Sequence, residues 1–138
     1  MKNNFINEIT QRGFFHQCTD QVKLTNLINS KNIKAYIGFD CTAPSLHVGS
    51  LLQIMCLRLL QKNGHQPIVL LGGGTTLIGD PSGKDATRKI LDEKTIDENI
   101  AKIKKIFKKL LDFKDEKTMP IFVNNAEWLN ELKYIEFL

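Results

Sequence analysis

Apolar and polar positions follow helical and strand periods in turn along the chain. Residues 3–12 carry apolar side chains at helical spacing, and a second short helix is predicted after a cap at Thr19 or Asp20. These two helices make residues 1–34 a helical amino-terminal segment. Residues 36–39 are aromatic or β-branched for the most part and predict the first strand.

A strand–helix–strand unit follows from this strand. Residues 41–45 predict a turn, with Ser45 as a helix cap. Residues 46–62 are so apolar that we expect a well-buried helix, and residues 67–71 form a continuous apolar run typical of an inner parallel strand. Residues 36–71 therefore predict one βαβ unit of an open parallel sheet.

The second half of the chain continues the alternation. Residues 72–84 contain five glycines and predict a loop, and a helix is expected to begin at a capping box at Thr95. Residues 118–123 predict a third strand, and a last helix opens at Asn125 or Ala126. The predicted fold class is α/β, a parallel sheet with flanking helices.

Composition limits the class of protein without naming it. The 138 residues, 42% hydrophobic and 25% charged, suit one globular domain, and no apolar run approaches the ~20 residues of a membrane span. The amino end lacks the apolar region of a secretory signal. Cys18, Cys41 and Cys56 have no metal-ligand spacing and suit a reducing cytoplasm, and we interpret His16 and His65 as structural or exposed.

The net charge of +4 would suit a nucleic-acid partner. Much of it comes from lysines of one predicted helix: Lys102, Lys104, Lys105, Lys108 and Lys109. Because solvated lysines are the ordinary polar face of an amphipathic helix, composition alone does not establish RNA binding.

The candidate chemistry lies where predicted strands end. His47 and Gly49 fall in the first turn of the helix after the first strand, where backbone N–H groups and the helix dipole suit a phosphate. The glycine stretch after the next strand holds Asp80, and Lys84 and Arg88 follow it. Neither a Walker motif nor a dinucleotide fingerprint is present. These residues predict a domain that binds a nucleoside triphosphate without a P-loop.

Three phrases of the chain make a specific resemblance. The segment from His47 to Ser50 resembles the His-Ile-Gly-His signature of class I aminoacyl-tRNA synthetases. In order and spacing, residues 36–49, 64–70 and 72–84 resemble bacterial tyrosyl-tRNA synthetases, and so do residues 124–128. The resemblance extends over essentially the whole chain.

The resemblance implies a fold and a domain organisation. The fold would be the first half of a Rossmann-like class I catalytic domain. Residues 1–138 would then be a partial catalytic domain, in which residues 1–34 are the helical segment and residues 35–138 the first βαβ part of the nucleotide-binding fold.

The resemblance also assigns contacts to tyrosine and to its adenylate. Tyr36 would hydrogen-bond the phenolic hydroxyl of the substrate tyrosine. Asp80, helped by Thr75, would hold the substrate's ammonium group. Gly38 and Asp40 would border the tyrosyl-adenylate and so belong to the ATP-binding set.

A second group of residues would act on ATP in such an enzyme. Thr42 and His47 would stabilise the phosphates while the tyrosine carboxylate attacks the α-phosphorus. Gly49 would make room for the adenosine. Lys84 and Arg88 would assist the leaving pyrophosphate.

Ser50 departs from the family pattern, because it stands where the signature usually has a second histidine. It keeps a hydroxyl donor for the ribose but loses reach and positive charge. The resemblance further implies ATP as a substrate with Mg²⁺ and no protein-bound metal. The implied partners are L-tyrosine and tRNA(Tyr), in a cytoplasmic homodimer with no membrane association.

The chain lacks a Lys-Met-Ser-Lys-Ser-like segment and the second half of the nucleotide fold. We therefore expect an amino-terminal fragment that is nearly inactive alone. Two other interpretations stay open at this point. A small nucleotidyltransferase uses a similar His-x-Gly-His turn, and a non-catalytic interaction module would use exposed apolar surface.

Overall fold

A computed structural model describes residues 4–78 and 91–132 of the chain, within which there are six helices and three strands. In chain order the elements are α1 (Phe5–Gln11), α2 (Gln21–Ser30), β1 (Lys34–Asp40), α3 (Val48–Lys62), β2 (Gln66–Gly72), α4 (Gly73–Ile78), α5 (Glu93–Leu110), β3 (Ile121–Asn124) and α6 (Ala126–Leu129).

The three strands form one parallel sheet in the order β1-β2-β3. The central strand β2 is the continuous apolar run, and its Val69 and Leu71 are fully buried. Asp40 pairs with Gly72, and Leu71 pairs with Asn124, so the carboxyl ends of all three strands meet at one edge. The predicted α/β class with a parallel sheet is confirmed.

One face of the sheet is packed by α3 and α5. Its core contains Phe39, Val69 and Leu71 from the strands together with Ile103 and Phe107 from α5. The rings of Phe39 and Phe107 meet edge to face, with centroids 4.9 Å apart. A second, smaller cluster joins α1 and α2 to the far side of α3.

The opposite face of the sheet is less covered within the described ranges. Tyr36 is 67% exposed there, and its neighbours Ile68, Leu70, Ile121 and Val123 are half-buried. None of these residues belongs to either core cluster of the described part of the chain. The two faces of one sheet therefore differ in how tightly they are packed.

The starts of two helices differ from the sequence-based expectations. The cap of α3 is His47, not Ser45, and the cap of α5 is Asp92, whose carboxylate accepts the Thr95 N–H at 2.8 Å. The predicted capping box at Thr95 is therefore wrong, since α5 begins two residues earlier. The Asp20 cap of α2 is confirmed.

Three further expectations differ from the structure. The glycine stretch contains the short helix α4 instead of a continuous loop. Helix α3 is not buried throughout, because Val48, Leu51 and Leu52 near its start are 85%, 44% and 51% exposed. Strand β3 begins three residues later than predicted. In the described segments no helix is both long and apolar enough to cross a membrane.

Candidate functional site

The edge where the strands end brings together two residues predicted to touch different substrates. A Cβ built on Gly72 would lie 2.7 Å from Thr75 Oγ1 and 3.3 Å from Asp40 Oδ1. The Thr75 hydroxyl and the Asp40 carboxylate therefore both lie directly over the Gly72 backbone. Glycine is required at this position because any side chain would displace both groups.

Strand β1 carries three predicted substrate contacts on one face. Tyr36, Gly38 and Asp40 alternate along the strand, and all three are exposed. Because alternate residues of a strand share a face, they line the less covered side of the sheet and lead up to its carboxyl edge. Of the three residues, Tyr36 lies farthest from the carboxyl end of β1, and Asp40 is the last residue of the strand.

His47 presents a defined nitrogen to the site. Its Nδ1 accepts the backbone N–H of Gly49 at 2.9 Å, so this nitrogen carries no proton. In the neutral imidazole the proton is then on Nε2, which has no acceptor among the described residues and can donate from an exposed side chain. A Cβ on Gly49 would lie 2.5 Å from His47 Cε1, so the glycine accommodates the imidazole ring.

This arrangement changes the expected phosphate site at the start of α3. The Gly49 N–H is taken by the imidazole, and the Ser50 N–H donates to the His47 carbonyl at 3.0 Å. The expectation that these backbone groups are free for an anion is wrong. The donor offered by this turn is the imidazole Nε2–H.

Two buried side chains that the sequence analysis missed fix the turn between β1 and α3. Cys41 N–H donates to Thr76 Oγ1, and Asn99 Nδ2 donates to the Cys41 carbonyl, each at 3.0 Å. Both polar side chains are buried. They attach the residue before the exposed Thr42 to α4 and to α5. The available signal was a polar Asn99 on the apolar face of a strongly amphipathic helix.

The Cys41 thiol is not a nucleophile in this site. Its side chain is fully buried, and burial raises the pKa of the thiol to about 11. The thiolate, which is the reactive form, is therefore scarce at neutral pH. Cys41 acts through its backbone groups instead.

A pair of asparagines after β3 holds the start of α4. Asn125 Oδ1 accepts the Gly74 N–H at 2.8 Å, and its Nδ2 donates to Thr75 Oγ1 at 3.1 Å. Asn124 Oδ1 accepts the Gly73 N–H at 3.2 Å. The sequence analysis singled out this segment only for its family resemblance, because local sequence does not show which backbone groups it meets.

Four predicted site residues need separate mention. Asp80, Lys84 and Arg88 lie outside the described residues. Ser50 is 9% exposed, so little of its surface is available, and its contact with ATP stays a prediction. Across residues 4–78 and 91–132, no three His, Cys, Asp or Glu side chains cluster as metal ligands would.

Comparison with known proteins shows the family to which the chain is similar. The profile of the family described as tRNA synthetases class I (W and Y) matches residues 29–138. The chain is 67% identical over 136 residues to the tyrosine–tRNA ligase of Pelagibacter ubique and 58% identical over 138 residues to that of Wolbachia pipientis. Each match covers 99% of this chain and 33% of the relative, so the chain spans about a third of these relatives' length.

Solved structures show the same similarity. The C-terminally truncated mitochondrial tyrosyl-tRNA synthetase of Coccidioides posadasii superposes with a TM-score of 0.74 at 30% identity, over 96% of this chain and 38% of that one. The C-terminally truncated mitochondrial tyrosyl-tRNA synthetase of Aspergillus nidulans superposes with a TM-score of 0.75 at 27% identity, over 96% of this chain and 40% of that one. The predicted Rossmann-like class I fold is therefore confirmed. Fold, profile and relatives agree that the chain belongs to the class I tRNA synthetase family of tryptophan and tyrosine (W and Y) enzymes.

Proposed function

We propose that the protein carrying this chain is a tyrosine–tRNA ligase. It would activate L-tyrosine with ATP to tyrosyl-adenylate and transfer the tyrosine to tRNA(Tyr). The observation that supports this most directly is the meeting of Asp40 and Thr75 over Gly72, with Tyr36 on the same strand face as Asp40. This geometry supports the proposal, because an enzyme that joins ATP and tyrosine needs its adenylate contacts and its tyrosine contacts close together.

The tyrosine substrate would lie along the exposed face of β1. The Tyr36 hydroxyl, on a side chain that is 67% exposed, would hydrogen-bond the phenolic hydroxyl of the ligand. At the other end, Thr75 Oγ1 donates to the Gly72 carbonyl at 3.2 Å and accepts from Asn125. Among the described residues, no donor meets the second lone pair of this oxygen, which would accept from an ammonium group. Asp80, outside the described residues, would supply the negative charge.

ATP would bind as its magnesium complex at the start of α3. The His47 Nε2–H would donate to a phosphoryl oxygen, with the Thr42 hydroxyl beside it. Gly49 and Ser50 would lie next to the adenosine, and Gly38 and Asp40 would border the adenylate. Because the Gly49 N–H already orients the imidazole, little reorganisation is needed when charge develops on the phosphate.

The chemistry itself needs alignment more than covalent help from the protein. The tyrosine carboxylate attacks the α-phosphorus, a new phosphorus–oxygen bond forms, and pyrophosphate leaves. Lys84 and Arg88 would neutralise charge on the departing pyrophosphate. The tRNA contacts, the homodimer and the cytoplasmic location belong to the same proposal for the longer protein, and we expect the 138-residue chain alone to be nearly inactive.

Tyrosine-dependent exchange of labelled pyrophosphate into ATP tests this proposal. The longer gene product is expected to catalyse exchange, and the 138-residue chain is not. His47→Ala in the longer product should lower exchange about 10²-fold or more, as loss of a transition-state donor typically does. Absence of exchange with the wild-type longer product would contradict the ligase assignment, and robust exchange by the short chain would contradict its inactivity.

A further inference from the structure

We propose that Asn125 is a positioning residue for the ammonium end of the tyrosine site, acting through the Thr75 hydroxyl. This inference rests on the proposed function, because Thr75 is a substrate contact only in a tyrosine-activating enzyme. It gives a role to the Asn-Asn pair at residues 124–125, which the reaction itself does not otherwise use.

Asn125 is fixed in position by burial and by a backbone hydrogen bond that does not involve α4. Its side chain is buried, with 8% exposed, and its backbone N–H donates to the Leu71 carbonyl at 3.0 Å. It is therefore tied to the end of the central strand. From this position its Oδ1 accepts the N–H groups of Gly74 at 2.8 Å and Thr75 at 3.4 Å.

Helix α4 depends on such external partners. It has only six residues, and the first N–H groups of any helix lack partners within that helix. Asn124 and Asn125 supply acceptors to Gly73, Gly74 and Thr75 from a segment about 50 residues away. The start of α4, and with it the Thr75 side chain, is thus placed by the end of β3.

The amide also decides which way the Thr75 hydroxyl points. Asn125 Nδ2 donates to Thr75 Oγ1 at 3.1 Å, so that oxygen is an acceptor on this side. Its own proton is directed to the Gly72 carbonyl at 3.2 Å. No donor among the described residues meets the remaining lone pair, which suits an incoming ammonium group. An amide side chain provides both the acceptor for the backbone and the donor for the hydroxyl.

Two glycines permit this close approach. A Cβ on Gly74 would lie 3.1 Å from the Ala126 Cα, and one on Gly73 would collide with the Asn124 side chain. The glycines at 73 and 74 and the asparagines at 124 and 125 therefore form a matched set. This part of the glycine stretch serves contact with the end of β3 and the start of α6, and not the cradling of a phosphate.

A double-mutant cycle in the longer protein tests the inference. Asn125→Ala and Thr75→Val should each raise KM for tyrosine about tenfold, while KM for ATP changes less than twofold. The double variant should resemble either single variant, because both remove the same oriented hydroxyl. Asn130→Ala, which removes an exposed amide at the end of α6, is the matched control and should leave both KM values unchanged.

A ligand without the ammonium group sharpens the same test. Inhibition by 3-(4-hydroxyphenyl)propionate should be equal in the wild-type protein and in Asn125→Ala, whereas a general structural defect would weaken it. An unchanged KM for tyrosine in Asn125→Ala would overturn the inference, as would multiplicative effects in the double variant. If Asn125→Ala does not fold, an unchanged KM in Thr75→Val overturns it instead.

Hydrogen exchange separates this inference from the proposed function. In the 138-residue chain, the Gly74 and Thr75 amides should exchange at least tenfold faster in Asn125→Ala than in the wild type or in Asn130→Ala. Unchanged exchange would overturn the role of Asn125 at α4. Failure of the ligase proposal would instead show as a wild-type longer protein without tyrosine-dependent exchange of pyrophosphate.

Discussion

His47 serves a helix and a candidate site with different atoms of one ring. Its Nδ1 caps α3 by accepting from Gly49, and its Nε2 faces outward. An N-cap contributes about 0.5–2 kcal/mol to stability, so the same contact that orients the imidazole also stabilises the helix. A capping role alone would favour serine or aspartate, whereas a histidine provides the cap and also an Nε2 that faces outward.

Gly49→Ala separates these two roles. The new Cβ would displace the imidazole, with which it would collide at 2.5 Å. The cap is lost, but alanine gains about 1 kcal/mol of helix propensity over glycine, so the free energy of unfolding should change by less than about 1 kcal/mol. Pyrophosphate exchange by the longer protein should fall tenfold or more.

Val48→Ala is the matched control for this change. Val48 lies in the same turn and is 85% exposed, so its truncation should leave exchange unchanged. Equal activity of Gly49→Ala and wild type would contradict the proposed role of the imidazole.

His65 predicts a pH dependence of stability. It is 2% exposed, its Nδ1 accepts the Ile33 N–H at 3.3 Å, and burial lowers its pKa below the ordinary value. The folded state thus binds the proton less readily than the unfolded chain. Stability should be full above about pH 6.5 and should fall as pH decreases through 6.5 toward the lower folded pKa.

Urea unfolding of the 138-residue chain between pH 5 and pH 7.5 measures this effect. His65→Phe should be less stable than the wild type at pH 7.5 but should lose most of the pH dependence, whereas His16→Gln, at an exposed position, should retain it. Glu8 also has a lowered pKa, owing first to its hydrogen bond with Asn63. Protonation of Glu8 therefore affects stability only below about pH 4.5, outside the range of this measurement. A wild-type stability that does not vary over the range would refute the interpretation.

At the scale of elements, α5 is joined to β1 by both a polar and an apolar contact. Asn99 donates to the Cys41 carbonyl, and Phe107 packs against Phe39. Asn99→Leu removes the donor and leaves a buried carbonyl without it. We expect a loss of about 1–3 kcal/mol in the free energy of unfolding, measured by urea titration. Gln53→Leu, at an exposed helical position, is the control and should change the free energy of unfolding by less than about 0.5 kcal/mol. A similarly small change for Asn99→Leu would contradict a stabilising role for the hydrogen bond between Asn99 and the Cys41 carbonyl.

Sequence patterns predicted the elements where the partner of each residue was local or where burial was continuous. The apolar run at 67–71 and the periodicity of α5 are such cases, and both elements are present. The starts of α3 and α5 were missed because several side chains could cap these helices, and His47 and Asp92 are the residues that do so. Helix α4 was missed for a different reason, since its acceptors come from a distant strand end.

The candidate site was predictable to a similar extent. The strand–turn–helix pattern located His47, and the family resemblance added Tyr36, Asp40 and Thr75. Asn99, Thr76 and Asn125 were not predicted as site supports, because each acts by contacting backbone or side-chain groups far along the chain. Such contacts depend on tertiary structure and leave no local signature.

At the scale of the whole molecule, the two faces of the sheet predict different costs for neighbouring substitutions. Leu71 is fully buried in the core under α5, whereas Leu70 points to the opposite face and is half-buried. In the 138-residue chain, Leu71→Ala should cost about 2–5 kcal/mol of unfolding free energy, and Leu70→Ala about 1 kcal/mol or less. Urea unfolding of both variants checks this, and equal costs would show that the second face is packed as tightly as the first.

The dependence of α4 on Asn124 and Asn125 has a consequence for the order of folding. During synthesis the chain contains Gly73 and Gly74 about 50 residues before it contains Asn124 and Asn125. Closing a contact over some 50 residues carries a loop-entropy cost, so the start of α4 becomes ordered only after β3 has joined the sheet. Until synthesis has passed residue 125, the nascent protein therefore carries Tyr36 and His47 without the ordered start of α4, on which the proposed tyrosine site depends.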